Sequence, residues 1–209
     1  MVADPELIYD KRIVIDGKGH VYGRLAAIVA KQLLLGAQVS IVRCEEIIRA
    51  GSMRRNADKR ASFFHKKYLT NPKKGMFHHR APSRAFQRSV RGMLPYRTQR
   101  GLKAFRRLEV FDGVPAKYEE TALFCVPSAL SCLKLNPTTK KIKLGELCGK
   151  FGWTRKSIVE GLEEARKEAS KAGFEHREKV RGLKKQAVES AAKSSEYQTI
   201  ANQLAQFGF

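Results

Sequence analysis

Residues 49–107 form a segment in which positive charge is almost unopposed. They include 18 Lys and Arg residues but a single acid, Asp58, and so hold +17 of the chain's formal net charge of +21. Charge of one sign at this density works against a compact state unless an anionic partner neutralises it. Nucleic acid fits best as that partner, because each phosphate that a protein neutralises releases a counterion. We call residues 49–107 the basic segment.

Aromatic side chains within the basic segment indicate that part of it folds. A short charged run is usually a solvated face or a disordered tail, but neither would contain so many rings. A membrane surface also attracts basic sequence, yet no Trp/Leu-rich amphipathic stretch accompanies this one. We therefore rank nucleic acid above a membrane as the partner. The rings in question are Phe63, Phe64, Tyr68, Phe77, His78, His79, Phe86 and Tyr96.

Length and composition suit one domain with an extension. The chain has 209 residues, of which 43% are hydrophobic, enough for a real core. The acidic N-terminus has no apolar stretch of the kind that a secretory signal needs, and the longest apolar run, residues 25–30, is too short to span a bilayer. Irregular cysteine spacing predicts reduced thiols and no metal site. The cysteines are Cys44, Cys125, Cys132 and Cys148.

The first 44 residues predict a strand, a helix and a second strand. Residues 13–15 form a β-branched run, residues 24–35 carry an apolar stripe at helical spacing, and residues 39–44 are again apolar. Gly36 stands where a helix commonly ends. A βαβ unit of this length implies parallel strands and an α/β core.

Three helices are predicted inside the basic segment, at residues 56–68, 79–94 and 98–107. In the second helix, four arginines are spaced 4, 4 and 3 residues apart, which places them within about 80° of one another. Phe86, Val90 and Met93 lie on the opposite side and are expected to dock the helix on the core. Pro82 suits its first turn. The four outward-facing residues are Arg80, Arg84, Arg88 and Arg91.

The rest of the chain predicts a strand at residues 108–111, a short helix at residues 143–151 and a helical extension. Residues 155–209 hold 11 basic and 8 acidic residues and no proline, and their composition favours a long helix. We interpret residues 1–11 as a lead, 12–152 as an α/β domain and 153–209 as an extension that lies along a partner.

A glycine-rich turn offers a competing interpretation. Gly17, Gly19 and Gly23 follow the first strand, and Glu45 follows the second, as in a dinucleotide-binding fold. The third glycine is one position late, however, and the sequence continues as the basic segment instead of alternating strands and helices. We interpret the glycines as a tight strand-to-helix turn with close packing. No cofactor is expected.

Several motifs, in the right order, resemble the family of the thirteenth protein of the large ribosomal subunit. The resemblance covers about residues 13–168 and is closest to the archaeal and eukaryotic branch, with the helical extension favouring the eukaryotic side. Shorter stretches at residues 39–44, 110–113 and 152–153 agree. The motifs are residues 16–20 (DGKGH), 23–31 (GRLAAIVAK), 80–84 (RAPSR) and 90–95 (VRGMLP).

This resemblance implies an α/β fold with a mostly parallel four-stranded sheet and helices on both faces. It also implies a structural, non-catalytic protein that binds large-subunit ribosomal RNA, contacts neighbouring ribosomal proteins and supports subunit assembly and translation. The implied location is the cytoplasmic ribosome, after passage through the nucleus and nucleolus if the source is eukaryotic. No membrane and no small-molecule substrate are expected.

The expected RNA-binding residues come mainly from the basic segment. Phosphate contacts should dominate, while Phe77 and Tyr96 are available for stacking on bases, although burial is the more usual fate of such rings. The cationic set is Arg43, Arg49, Arg54, Arg55, Lys59, Arg60, Lys66, Lys67, Lys73, Lys74, His78, His79, Arg80, Arg84, Arg88, Arg91, Arg97, Arg100, Lys103 and Arg107.

Two other functions stay open from the sequence. One is an RNA-binding translational regulator that acts off the ribosome. The other is an enzyme acting on nucleic acid, which would need a group of carboxylates or a cofactor loop within the basic face. Asp58 is the sole acid there, so the enzyme is the weaker alternative.

Overall fold

A computed structural model describes residues 12–193 together with residues 197, 199–200 and 203–204. The predicted lead, residues 1–11, lies outside the described residues. Short 3-10 helices occur at Cys44–Glu46, Pro72–Lys74, Ala116–Tyr118 and Pro127–Ala129. The strands and α-helices are β1 Ile13–Asp16, α1 Tyr22–Leu35, β2 Val39–Val42, β3 Ile48–Ala50, α2 Met53–His65, α3 Pro82–Met93, α4 Gln99–Arg106, β4 Leu108–Val110, α5 Ser131–Lys134, β5 Lys141–Lys143, α6 Leu144–Lys150 and α7 Lys156–Ala192.

The central sheet is parallel, with strand order β1-β2-β4. Val39 pairs with Ile13 on one side and with Leu108 on the other. The strands β3 and β5 form a separate antiparallel pair. The predicted α/β class with a parallel sheet is therefore confirmed.

The predicted number of four strands in this sheet is wrong for the described residues, in which it has three. Phe124 occupies the position of a fourth strand beside β1, but as a single parallel bridge to Ile15. Its N–H donates to the carbonyl of Val14 at 2.8 Å, and its own carbonyl accepts from the N–H of Asp16 at 3.0 Å. Pairing ends there because Pro127, which has no N–H, begins a 3-10 helix three residues later.

One face of the sheet carries the main core. Leu25, Val29 and Leu33 of α1 are fully buried in the same cluster as Val39 and Ile41 of β2. The apolar stripe predicted for this helix is thus confirmed. Gly36 ends α1 in the left-handed conformation at φ 111°, as the sequence predicts.

The opposite face of the sheet carries a smaller cluster beneath the 3-10 helix Ala116–Tyr118. Val14 and Val42 pack there against Tyr118. The hydroxyl of Tyr118 lies 2.7 Å from the Oγ of Ser40, which is fully buried on β2. Helices of different size therefore cover the two faces of the sheet.

The chain divides into two compact units, Met1–Glu160 and Gly161–Phe209. The long helix α7 confirms the predicted helical extension as far as Ala192, and most of the predicted extension beyond residue 193 lies outside the described residues. Within the second unit, Leu162, Phe174 and Leu183 are exposed, whereas Glu163 is buried and accepts two hydrogen bonds from Arg166. Among the helices that the structure describes, none has both the length and the apolar character needed to cross a bilayer.

Candidate nucleic-acid interface

All three helices predicted in the basic segment are present, with shifted ends. Helix α2 begins at Met53 because Ser52 caps it by accepting the N–H of Arg55 at 3.4 Å. Helix α3 has Pro82 in its first turn, as predicted. Helix α4 begins after Thr98, whose Oγ1 accepts the N–H of Gly101 at 3.2 Å.

Helix α3 docks on the core through an apolar stripe at i, i+4 and i+8. Phe86 and Val90 are fully buried, as predicted, and Leu94 is nearly so. The prediction that Met93 docks is wrong, since 46% of its surface is exposed. The helix ends at Met93, and the extended backbone at Leu94 (φ −102°, ψ 149°) follows it. The buried position therefore passes to Leu94.

Two contacts fix the rotation of α3 about its axis. The carboxylate of Asp112 accepts both the backbone N–H and the hydroxyl of Ser83, each at 2.8 Å, and so caps the helix from a distant turn. The hydroxyl of Tyr22 donates to the carbonyl of Ala85 at 2.8 Å and lies 2.6 Å from the Oγ of Ser89. Burial raises the pKa of Asp112, and the hydrogen bonds from Ser83 partly offset that rise.

With α3 held in this way, Arg84, Arg88 and Arg91 face outward and line a groove of about 790 Å³. The facing wall is the loop of residues 66–79, which contributes Lys74 and Phe77 among others. We call this the α3 groove. No carboxylate is among its described lining residues, so its electrostatic character is wholly basic.

Arg80 and Arg88 have additional roles. The Nη1 of Arg80 donates to the carbonyl of Phe151 at 2.9 Å. The prediction that Arg80 shares the helix face of the other three arginines is wrong, because this exposed residue precedes α3 and does not line the α3 groove. The guanidinium of Arg88 lies 4.1 Å from the ring centre of Phe63 and donates to the carbonyl of Phe77 at 3.4 Å. Partial burial lowers the pKa of Arg88, and the charges of Arg91 and Arg60 lower it further.

Four members of the predicted cationic set are used inside the fold. Arg43 forms an ion pair with Asp16 from a left-handed backbone position, φ 55°. The buried Arg60 donates to the carbonyl of His79, and Arg107 donates to the carbonyl of Leu33 at 2.6 Å. His78 packs on the ring of Phe63, 4.8 Å between centres.

We therefore remove Arg43, Arg60, Arg107 and His78 from the candidate interface, because the three arginines bond to protein groups and the His78 ring packs on Phe63. Arg49 is half-buried, with its guanidinium 5.1 Å from the ring centre of Tyr22. Arg106 is exposed in the same segment and belongs with the candidates, as its charge alone indicates. The exposed members of the predicted set are Arg54, Arg55, Lys59, Lys66, Lys67, Lys73, Lys74, His79, Arg80, Arg84, Arg88, Arg91, Arg97, Arg100 and Lys103.

The aromatic side chains differ from the expectation of burial. Phe77 has 79% of its surface exposed and lines the α3 groove. Tyr68 lines the same groove and is 63% exposed. Tyr96 is half-buried beneath the guanidinium of Arg91, 4.2 Å from its ring centre. Sequence pattern could not reveal this, because exposure of a ring depends on how the loop lies against α3.

The glycine-rich turn uses its backbone N–H groups within the protein. Gly17 donates to the carbonyl of Val42 at 2.8 Å, and Gly19 donates to that of Glu46 at 3.3 Å. A dinucleotide would need such groups for its phosphates. Glu45, the candidate ribose ligand, accepts the N–H of Gly113 at 2.9 Å.

The predicted roles of the three glycines are confirmed at two positions. Gly19 has φ 75°, and a Cβ on Gly17 would lie 2.9 Å from the carbonyl oxygen of Val42. The prediction of close packing at Gly23 is wrong, because nothing lies within 4 Å of where its Cβ would be. Within the described part of the chain, no group of three or more His, Cys, Asp or Glu residues is placed to hold a metal ion.

Comparison with known proteins gives a matching family and similar proteins. The family profile described as ribosomal protein L13 matches residues 10–117. Proteins named large ribosomal subunit protein uL13 are similar over nearly the whole chain. The one from Caenorhabditis elegans is 44% identical over 196 residues, 93% of this chain and 96% of the relative. Those from Drosophila melanogaster and Tetrahymena thermophila are each 41% identical, over 90% and 97% of this chain and 91% and 100% of the relatives.

Proposed function

This chain belongs to the ribosomal protein L13 family, and we propose that it binds large-subunit ribosomal RNA through its basic segment. The family is one of structural ribosomal proteins of the large subunit and not a family of enzymes. In the proposed role the protein supports subunit assembly and translation by holding RNA in its folded shape.

The observation that carries the proposal is the separation of apolar and basic sides on α3. Phe86 and Val90 are fully buried, while Arg84, Arg88 and Arg91 are exposed along one groove. Helix caps and the contacts of Tyr22 hold this orientation without any ligand. The backbone that carries the arginines therefore needs little ordering when they meet phosphates, which reduces the entropic cost of binding.

Affinity in this account comes mostly from phosphates. Each exposed Lys or Arg that meets a phosphate releases a counterion. Selectivity then comes from the shape of the folded RNA and from its unpaired nucleotides. Buried arginines such as Arg60 contribute to RNA binding indirectly, because they fix the loop that carries exposed cations.

The proposal also covers the protein's binding partners and its location in the cell. Neighbouring large-subunit proteins are expected to contact helix α7, where Leu162, Phe174 and Leu183 are exposed and the charges are nearly balanced. The protein is expected on cytoplasmic ribosomes, with assembly requiring passage through the nucleolus in a eukaryotic cell.

Sedimentation of the tagged chain in cell extract tests the proposal. We expect it to travel with large subunits and with intact ribosomes, and to leave them only when ionic strength is raised. A triple variant, Arg84→Ala with Arg91→Ala and Arg100→Ala, should enter subunits less well. Lys31→Ala, which removes an exposed charge outside the basic segment, serves as the control.

Recovery of the wild-type chain in ribosome-free fractions, bound to other RNA, would instead support a regulator that acts off the ribosome. Equal incorporation of the triple variant and the control would contradict a role for the basic face.

A further inference from the structure

We propose that the α3 groove binds one unpaired RNA nucleotide, with its base stacked on Phe77 and its phosphates held by the arginines of α3. This inference rests on the proposed function and adds a specific ligand to it. It would give the protein a preference for RNA that presents an extruded base over RNA that is fully paired.

The first support is the exposed apolar surface of the groove. Phe77 is mostly exposed, and its ring is nearly parallel to that of His79, with 21° between planes and 6.2 Å between centres. Tyr68 and Met76 add exposed surface beside it. Flat rings of this kind are the surfaces on which proteins stack single-stranded bases.

The second support is the charge that surrounds these rings. Arg84, Arg88, Arg91 and Lys74 line the same groove, with no carboxylate among the described lining residues. Partial burial lowers the pKa of Arg88, and like-charge repulsion from Arg91 and Arg60 lowers it further. A bound anion would relieve that repulsion. A nucleotide offers a flat apolar face and phosphates together. To match both features of the groove, a protein segment would need aromatic and several acidic side chains at matching positions.

The third support is the way the groove is held open. Arg60 fixes the end of the loop through the carbonyl of His79 at 2.8 Å, and Arg88 contacts the carbonyl of Phe77. These bonds use backbone acceptors and leave the ring of Phe77 free on its exposed face. The groove volume of about 790 Å³ lies within the range of roughly 300–1,000 Å³ typical of small-ligand sites. It therefore suits one nucleotide and not a double helix.

The test uses the full chain and two RNA hairpins of the same sequence composition. One hairpin carries 2-aminopurine as a single bulged base, and the other carries it base-paired within the stem. With the wild-type protein, we expect tighter binding of the bulged hairpin and a change in 2-aminopurine fluorescence as the base stacks. Phe77→Ala should weaken binding of the bulged hairpin by about fivefold to a hundredfold, the range of base–aromatic stacking.

Three further variants separate stacking from other effects on RNA binding. Phe77→Trp should restore both the affinity and the fluorescence change, because a larger ring still stacks. Leu69→Ala should change neither, since Leu69 is fully exposed in the same loop but does not line the groove. Arg100→Ala should weaken both hairpins equally, because it removes a cation outside the groove.

The outcomes distinguish this inference from the proposed function. Equal affinity for the two hairpins, unchanged by Phe77→Ala, would overturn the nucleotide site while RNA binding stood. Failure to bind either hairpin or large-subunit ribosomal RNA would overturn both. In assembled subunits, photoreactive benzoylphenylalanine in place of Phe77 should crosslink to RNA. A crosslink to a neighbouring protein in its place would show that a protein segment fills the groove.

Discussion

The guanidinium of Arg60 on α2 donates a hydrogen bond of 2.8 Å to the backbone carbonyl of His79, 19 residues later. The side chain is buried, with its charge 5.0 Å from the ring centre of Phe64. This bond ties the end of the loop of residues 66–79 to the helix before it. Arginines of the basic segment therefore serve two purposes: a few organise the fold, and the remainder face solvent.

Replacing Arg60 by alanine should lower the free energy of unfolding by about 1.5–3 kcal/mol, the usual value of a hydrogen bond to a charged group. The carbonyl of His79 would lose its partner, and the rings of Phe63 and Phe64 would lose a packed neighbour. Chemical denaturation measures the change. Lys59→Ala, at an exposed neighbouring position, should stay within about 0.5 kcal/mol. Equal effects of the two variants would refute the organising role.

The glycine turn supplies a matched pair of alanine substitutions. Gly17→Ala should destabilise the protein by about 1–3 kcal/mol, because its Cβ would meet the backbone of Val42 and Arg43 at 2.9–3.0 Å. Gly23→Ala, in the first turn of α1 with open space around it, should raise stability by up to about 1 kcal/mol through helix propensity. Thermal unfolding of both variants checks the pair. Similar destabilisation at both positions would contradict the packing described for the turn.

The carboxylate of Asp112 should make the free energy of unfolding depend on pH. Its pKa is raised in the folded state, mainly by burial, so the folded protein binds this proton more tightly than the unfolded chain does. The contribution of Asp112 to the free energy of unfolding is therefore largest below the unfolded-state pKa of about 3.9. That contribution falls as pH rises through the folded-state pKa.

The comparison with Asp112→Asn isolates that effect. The difference in unfolding free energy, wild type minus variant, should decrease with rising pH above about 4 and then level off. Asp112→Ala should cost about 1–2 kcal/mol at neutral pH, because the N–H of Ser83 loses its cap. A difference that grows with pH would show that the hydrogen bonds from Ser83 outweigh burial.

Much of this fold follows from residue spacing. The apolar stripe of α1, the cap at Gly36 and the position of Pro82 are local signals, and the structure agrees with each of them. The outward row of Arg84, Arg88 and Arg91 follows from their spacing of 4 and 3 residues together with buried Phe86 and Val90. The fourth predicted member, Arg80, precedes α3.

Most of the differences depend on contacts distant in sequence. Arg60 and Arg107 are buried because backbone carbonyls at His79 and Leu33 lie within their reach, and a charge pattern contains no information about acceptors. Leu94 replaces Met93 in the core because α3 ends one residue earlier than its apolar spacing suggests. Phe77 is exposed because its loop lies along α3 and does not fold under it.

Limited trypsin digestion tests whether parts of the protein become ordered only when RNA binds. Arg60 and Arg88 hold residues 77–79 of the loop, whereas the exposed Lys66, Lys67, Lys73 and Lys74 lie in its remaining part. The chain after about residue 173 has few large apolar residues. Such sequence gains little from its own core. We expect the free protein to be cut first in these two regions and both to be protected in assembled large subunits. Resistance of the free protein at both regions would contradict the idea that they become ordered only on assembly.

The salt dependence of binding to large-subunit ribosomal RNA tests whether the basic face of α3 contacts RNA phosphates. The double variant Arg84→Ala with Arg91→Ala leaves Arg88 in place to hold the loop, and Lys31→Ala controls for the removal of a charge elsewhere. Plotted as log affinity against log salt, the slope of the double variant should be shallower than wild type by about one unit for each phosphate that the protein no longer neutralises. The control should keep the wild-type slope. A double variant with wild-type slope and affinity would show that the basic face of α3 does not bind RNA.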